Sequence, residues 1–320
     1  MRSLILPTAF LGGVAPRLRD IHLDSTAFPM LPQVLLSAHE LVSLRLDDIP
    51  NSGYISPESF ATGLSVTTRL KYLKIFFLLP MSQRSITSST RSHAVLPALT
   101  DFQFRGDVDY LENLVARIDT PALERFTVTL FEQSSFNIPQ LSQFIGRTKT
   151  LRSPHQTSIE LSEAEIVVTH DYRHSPPSPS SGSFKLHVTY DEVDLQMPTL
   201  VYISRQLSAL LASPERLDVV ASSDLFAWRD PSEADSVQWL EFSRLFPGVK
   251  RLGVSSALAS IVASTFEQVT GTSDILPSLR ELHIGGSRAS TSSSIERFAA
   301  IRERSGYPVS VHYQSGEFDS

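Results

Sequence analysis

Apolar and polar positions along this chain repeat one short phrase, Leu-x-x-Leu-x-Leu, often with Pro two residues ahead of it. Copies read Leu18-Arg19-Asp20-Ile21-His22-Leu23 behind Pro16, Leu41-Val42-Ser43-Leu44-Arg45-Leu46, and Leu70-Lys71-Tyr72-Leu73-Lys74-Ile75. Leu99-Thr100-Asp101-Phe102-Gln103-Phe104 follows Pro97, and Leu123-Glu124-Arg125-Phe126-Thr127-Val128 follows Pro121. Two late copies begin at Val249, behind Pro247, and at Leu279, behind Pro277. The first five start 23, 29, 29 and 24 residues apart and the last two 30 apart. The second half of each phrase alternates with the period of a strand that buries one face. Between the phrases, apolar residues return at helical spacing over 32–38, 109–118, 139–145, 202–211, 236–246 and 292–304. Leu111, Leu114, Val115 and Ile118 show it most plainly, at i, i+3, i+4 and i+7.

A short strand with one apolar face is not stable alone, and stacking it in parallel on its neighbours makes one continuous core. The spacings overlap the roughly 20–29 residues of a strand-plus-helix unit. The expected fold is α/β: an irregular leucine-rich-repeat solenoid, a horseshoe with parallel strands on the concave face and helices on the convex face. It is expected as a single domain over residues 1–320, with an irregular or inserted segment at about 151–193. There, Ile166-Val167-Val168 and 184–190 read as two strands around a Ser/Pro-rich stretch, either an antiparallel hairpin inserted in the solenoid or two degenerate repeats. Arg216 to Val220 restores a strand. Ser-rich stretches at 81–93, 175–183 and 285–294 read as surface loops.

In such a solenoid the x positions face outward, and they name a binding surface. The candidates on the concave face are His22, Arg45, Asp47, Tyr72, Lys74, Phe76, Asp101, Gln103, Arg105, Arg125, Thr127 and His283. Arg, Asp, Tyr and Phe together suit a protein or peptide ligand. Arg45, Lys74, Arg105 and Arg125 form a mild basic streak edged by acids, a pattern for a charged protein partner rather than a polyanion. Phe76 and Phe77 have a second reading, burial under a neighbouring loop.

Composition narrows the function classes. Hydrophobic residues at 41% and charged residues at 19% fit a folded chain. A net charge of -6 carries no basic excess for nucleic acid, and no polybasic run addresses a membrane. No stretch of about 18 apolar residues is present. The apolar run between Ser3 and Pro7 is too short for a secretory leader. Absence of cysteine removes disulfides, thiolate nucleophiles and thiolate zinc sites, and fits a cytoplasmic or nuclear setting.

Catalytic spacings are missing. There is no Gly-rich phosphate loop, no G-x-S-x-G and no H-E-x-x-H; His39-Glu40 lacks the second His. His170 and His174 read as two solvent-exposed imidazoles. Asp47-Asp48 and Asp191-Glu192-x-Asp194 do not match a calcium loop and read as solvated. The acidic stretch from Asp224 to Glu241, with Trp228 and Trp239, either touches a partner or packs on the core. No catalytic residue, metal site or cofactor is expected, and the chain reads as a binding protein rather than an enzyme. A hydrolase or transferase built by convergence of distant residues on an α/β fold is the alternative that spacing leaves open.

Three segments carry a family resemblance: 12–23, from Gly12 to Leu23; 96–102, from Leu96 to Phe102; and 298–309, from Phe298 to Val309. Together, and loosely over most of the chain, they resemble the leucine-rich-repeat region of F-box proteins abundant in mushroom-forming (basidiomycete) fungi. The resemblance implies a substrate-recognition part of a ubiquitin-ligase adaptor, in which an F-box binds a Skp1-type adaptor, the repeats hold the substrate, and no bond chemistry occurs. The Leu-Pro-x-Glu opening of an F-box is not found in this sequence. The readings are therefore a protein-binding repeat scaffold with that ligase role, or a structural repeat protein without it.

Overall fold

The computed structural model of the chain describes residues 4–7, 12, 14–80, 93–131, 137–151, 154–162, 165–171, 182–189, 196–207, 214–222, 233–268, 275–285 and 292–314. They fall into two compact units, Met1–Arg152 with Ser180–Leu186, and Ser153–Pro179 with His187–Ser320. Strands alternate with helices in both, so each is mixed α/β.

The first unit contains β1 (Leu4–Ile5), β2 (Asp20–Asp24), β3 (Thr26–Ala27), α1 (Leu31–Leu35), β4 (Ser43–Ile49), α2 (Pro57–Leu64) and β5 (Tyr72–Phe77). It continues through β6 (Ala94–Val95), β7 (Asp101–Gly106), α3 (Val108–Val115), β8 (Ile118–Asp119), β9 (Arg125–Leu130) and α4 (Pro139–Arg147). Strands β2, β4, β5, β7 and β9 pair in parallel, in that order. Their register puts Leu44, Leu73, Phe102 and Phe126 in one row and Leu46, Ile75, Phe104 and Val128 in the next, all buried. Each such side chain contributes about 1.5–3 kcal/mol on burial. The Phe102 and Phe126 rings stack at 5.0 Å.

Helices close over these rows. Tyr110 of α3 meets Phe77 and Phe104 at 4.7 and 5.9 Å, and Phe144 of α4 meets Phe126 at 5.4 Å. Helix α2 starts where Ser56 accepts a hydrogen bond from the Ser59 N–H and Pro57 occupies the first turn. The apolar pattern does not mark that helix; the Ser-Pro start was its sequence signal.

The second unit opens with β10 (Gln156–Leu161) and β11 (Glu165–Asp171), an antiparallel pair. Strand β12 (Ser183–Thr189) is shared between the two units. Then come α5 (Gln196–Gln206), β13 (Arg216–Ala221), α6 (Glu233–Ser243), β14 (Arg251–Val254), α7 (Ser256–Gln268), β15 (Glu281–Gly285), α8 (Ser292–Arg304) and β16 (Ser310–Gln314). Strands β10, β13, β14, β15 and β16 pair in parallel. Leu217, Leu252 and Leu282 form one buried row, and Val219, Val254 and Ile284 another.

Several expectations change here. An antiparallel partner of the 166–168 strand is β10, which the hydrophobic pattern does not mark. His170 is not a solvent-exposed imidazole: it is fully buried, with Nδ1 2.9 Å from the Thr157 hydroxyl. Trp239 lies inside α6, buried against Phe242 at 5.3 Å, so this Trp packs on the core. Helix α7 lies outside the stretches where the apolar spacing predicts a helix. His174, Asp224, Trp228, Asp230, residues 191–194 and most of the three Ser-rich stretches lie outside the described residues.

Candidate functional site

Because inward positions on each strand are apolar and paired in register, the outward positions must also align, strand after strand. In the first unit one outward row is Asp20, Ser43, Tyr72, Asp101 and Arg125. The next is His22, Arg45, Lys74, Gln103 and Thr127. Asp24 pairs with Asp47, and beyond them Phe76, Arg105 and Thr129 share a third level. Eleven of the twelve sequence-named residues, all but His283, therefore sit on one surface of this unit.

The side chains on that surface interlock. Lys74 Nζ lies 2.6 Å from Asp47 Oδ1, and His22 Nε2 lies 3.1 Å from Asp47 Oδ2. Arg125 Nε donates to Asp101 Oδ2 at 2.7 Å, and Gln103 Nε2 donates to Asp101 Oδ1 at 3.1 Å. Asp101 was expected to face solvent; under these two donors it is only 6% exposed. Its carboxylate holds the Arg125 guanidinium above its ordinary pKa. The Tyr72 phenol is also pushed up, first by partial burial and then by the nearby Asp101 charge.

Aromatic rings also lie against cations of this surface. The Arg45 guanidinium lies 4.6 Å from the Tyr72 ring centroid. Lys74 Nζ and the Arg105 guanidinium lie 4.3 and 5.1 Å from the Phe76 ring centroid. Phe76 and Phe77 thus divide the two readings between them: Phe76 is half-buried among cations, and Phe77 is in the core.

Asp48 is the residue that sequence reasoning missed. Leu46 pairs with Ile75 but Ile49 pairs with Phe77, so β4 carries one extra residue and bulges. Asp48 takes a left-handed backbone, φ 49°, which is unusual outside glycine. The bulge brings its carboxylate to 2.5 Å from Arg105 Nη2, two strands away, while Arg105 Nε donates to the Phe77 carbonyl at 3.3 Å. In sequence Asp47-Asp48 looked like a solvated turn, because alternation cannot register a bulge.

His283 belongs to the second unit. Its row neighbours are Gly253 and His312, its ring stacks on His312 at 4.7 Å, and Nε2 lies 3.4 Å from Glu281. Among the described residues, no group of three His, Cys, Asp or Glu side chains is placed to hold a metal ion. An apolar cavity of ≈ 20 Å³ inside the first unit, lined by residues including Leu23, Phe28, Phe60 and Tyr110, has room for about one water. Among the described residues, no helix is long and apolar enough to cross a membrane. Compared with family models, curated proteins and solved structures, the chain finds no match.

Proposed function

We propose that the chain is a leucine-rich-repeat scaffold that binds a protein or peptide on the outward strand face of its first unit, and that it binds rather than transforms its ligand. One observation carries the reading: five strands in parallel register align their polar, aromatic and charged positions on one surface, over an apolar core. Tyr and Arg, the residue types that dominate binding hot spots, stand side by side there. The 23–30-residue spacing and the run of parallel pairs support a repeat solenoid, the horseshoe form included. The family resemblance extends the proposal to substrate recognition for an F-box-type ubiquitin ligase, working in the cytoplasm or nucleus.

The test is affinity purification followed by mass spectrometry with the full chain, Tyr72→Ala, Arg105→Ala and a control, Gln33→Ala, exposed on α1. Partners retained by wild type and Gln33→Ala but reduced tenfold or more in both face variants are the expected result. An identical partner set in all four samples would refute the binding face. Co-purification of a Skp1-type adaptor would support the ligase role, and its absence beside retained partners would leave a scaffold without that role.

A further inference from the structure

Strand β16 ends the parallel run of the second unit: β15 pairs with one side of it, and among the described residues no strand pairs with the other. The Ser310 N–H donates to the Arg280 carbonyl at 2.8 Å, so the Val311 N–H and C=O, one residue on, point away from β15. Val311 continues the apolar row of Leu217, Leu252 and Leu282; those three are buried, and Val311 is only half-buried. Open edges of this kind are ordinarily guarded by charge, proline or a bulge. Strand β2, which ends the parallel run of the first unit, follows that rule with exposed Asp20 and Asp24. Strand β16, Ser-Val-His-Tyr-Gln, carries no carboxylate, lysine, arginine or proline.

We propose that β16 is a self-association edge: two copies of the chain pair through it, antiparallel, about a two-fold axis at Val311. A two-fold contact sets the same patch against itself, and two identical strands meet that way only in the antiparallel sense. With Val311 opposite Val311 of the second copy, each N–H donates to the other's carbonyl, and the two side chains cover the open ends of their apolar rows. On the outward face the same register sets Ser310 beside His312 of the second copy, twice, a hydroxyl next to an imidazole. The His312 ring is already ordered there, stacked on His283 at 4.7 Å. The occupant is a second copy because one register then matches Val with Val and Ser with His in both chains, and no like charges meet. A strand pair this short covers less than the roughly 1,200–2,000 Å² of a stable complex. The dimer is therefore weak, half-formed on the order of 100 μM.

The experiment is sedimentation equilibrium of the full chain over a range of concentrations, with hydrogen exchange read at the Val311 amide. The mass rises from 35.4 kDa toward twice that as concentration rises, and the Val311 amide exchanges more slowly in step. Val311→Pro removes an N–H that points away from β15, so the pairing of β15 with β16 survives, as proline is tolerated on the open side of an edge strand. This variant keeps the circular dichroism of the wild type and associates at least about tenfold more weakly. Gln33→Ala, exposed on α1, associates as the wild type does. A chain that stays monomeric throughout leaves the edge to another partner or to solvent and overturns the inference. So does a dimer that survives Val311→Pro, or one that forms with no change in Val311 exchange; the last result decides the matter even if Val311→Pro does not fold. The binding face of the first unit has its own test, which none of these results touches.

Discussion

Arg45 and Arg302 show how differently one side chain is used. Arg45 is exposed, lies over the Tyr72 ring and makes no hydrogen bond among the described residues. Arg302, in the last turn of α8, is fully buried and donates to the carbonyls of Ile275, Leu276, Pro277, Leu279 and Tyr307 at 3.2–3.4 Å. Burial lowers its pKa from the ordinary value, so the carbonyl cage must replace the water it lost. Leu276, inside that cage, has φ 45°, a left-handed backbone that costs a bulky residue about 1–2 kcal/mol. Arg302 thus ties down a strained turn by donating to several of its carbonyls, of which the Leu276 carbonyl also accepts from the Leu279 N–H at 2.9 Å. Lysine keeps the charge but has three donors on one nitrogen and cannot span five acceptors. Arg302→Lys is expected to lower unfolding stability by about 2–4 kcal/mol, read from urea midpoints. A midpoint equal to wild type would mean that water fills the cage as well as the guanidinium does. Nothing in the sequence set Arg302 apart from Arg304, because its role depends on a turn more than twenty residues away.

Between elements, α3 and α4 satisfy each other's ends. Helix α4 has no side-chain cap of its own at Ile138. Instead the Glu112 carboxylate, from α3, accepts hydrogen bonds from the Gln140 and Leu141 N–H groups, both at 2.8 Å. Arg147, at the far end of α4, donates to the Val115 and Ile118 carbonyls at 2.7 and 2.6 Å. A negative group at a helix start and a positive one at a helix end also complement the backbone dipoles. Burial raises the Glu112 pKa, with the two N–H donors pulling the other way. The folded state therefore favours the protonated acid: the part of the stability that comes from this shift is fully present below the ordinary glutamate value and lost as pH rises through the folded value, while the carboxylate keeps its two N–H bonds at neutral pH. Glu112→Ala is expected to cost about 1–2 kcal/mol at neutral pH by chemical denaturation, with the first amides of α4 exchanging faster. Unchanged exchange at Gln140 and Leu141 would remove Glu112 as the cap. The strands beside these helices were legible because alternation is a local signal, and α3 and α4 were legible because Leu111, Leu114, Leu141 and Phe144 repeat at helical spacing. The reciprocal caps were not legible, since Glu112 and Arg147 look like ordinary helix-surface charges until the next repeat is in place.

For the molecule as a whole, parallel stacking could be anticipated from sequence because only one arrangement buries every copy of the phrase. The face of the first unit followed from it, apart from the bulge at Asp48. The antiparallel pair in the second unit did not, and the reason is chemical. Thr157 and His170 are both polar and both fully buried, opposite each other in register, so an apolar-in, polar-out reading assigns them to the wrong side. Their mutual contact makes that burial tolerable only while the imidazole is neutral. Burial lowers the His170 pKa to about 4, against about 6.5 in the unfolded chain. Between those values the unfolded chain takes up a proton that the native state refuses. The contribution is complete above pH of about 6.5 and is lost as pH falls toward 4, at up to about 1.4 kcal/mol per pH unit. Glutamine at this position keeps a polar partner for Thr157 and cannot titrate. The drop in urea midpoint from pH 7.5 to 5 should therefore be clearly smaller in His170→Gln than in wild type, whatever the offset between the two proteins at pH 7.5. Equal drops would place the acid sensitivity of this fold elsewhere, in the carboxylates of the strand faces.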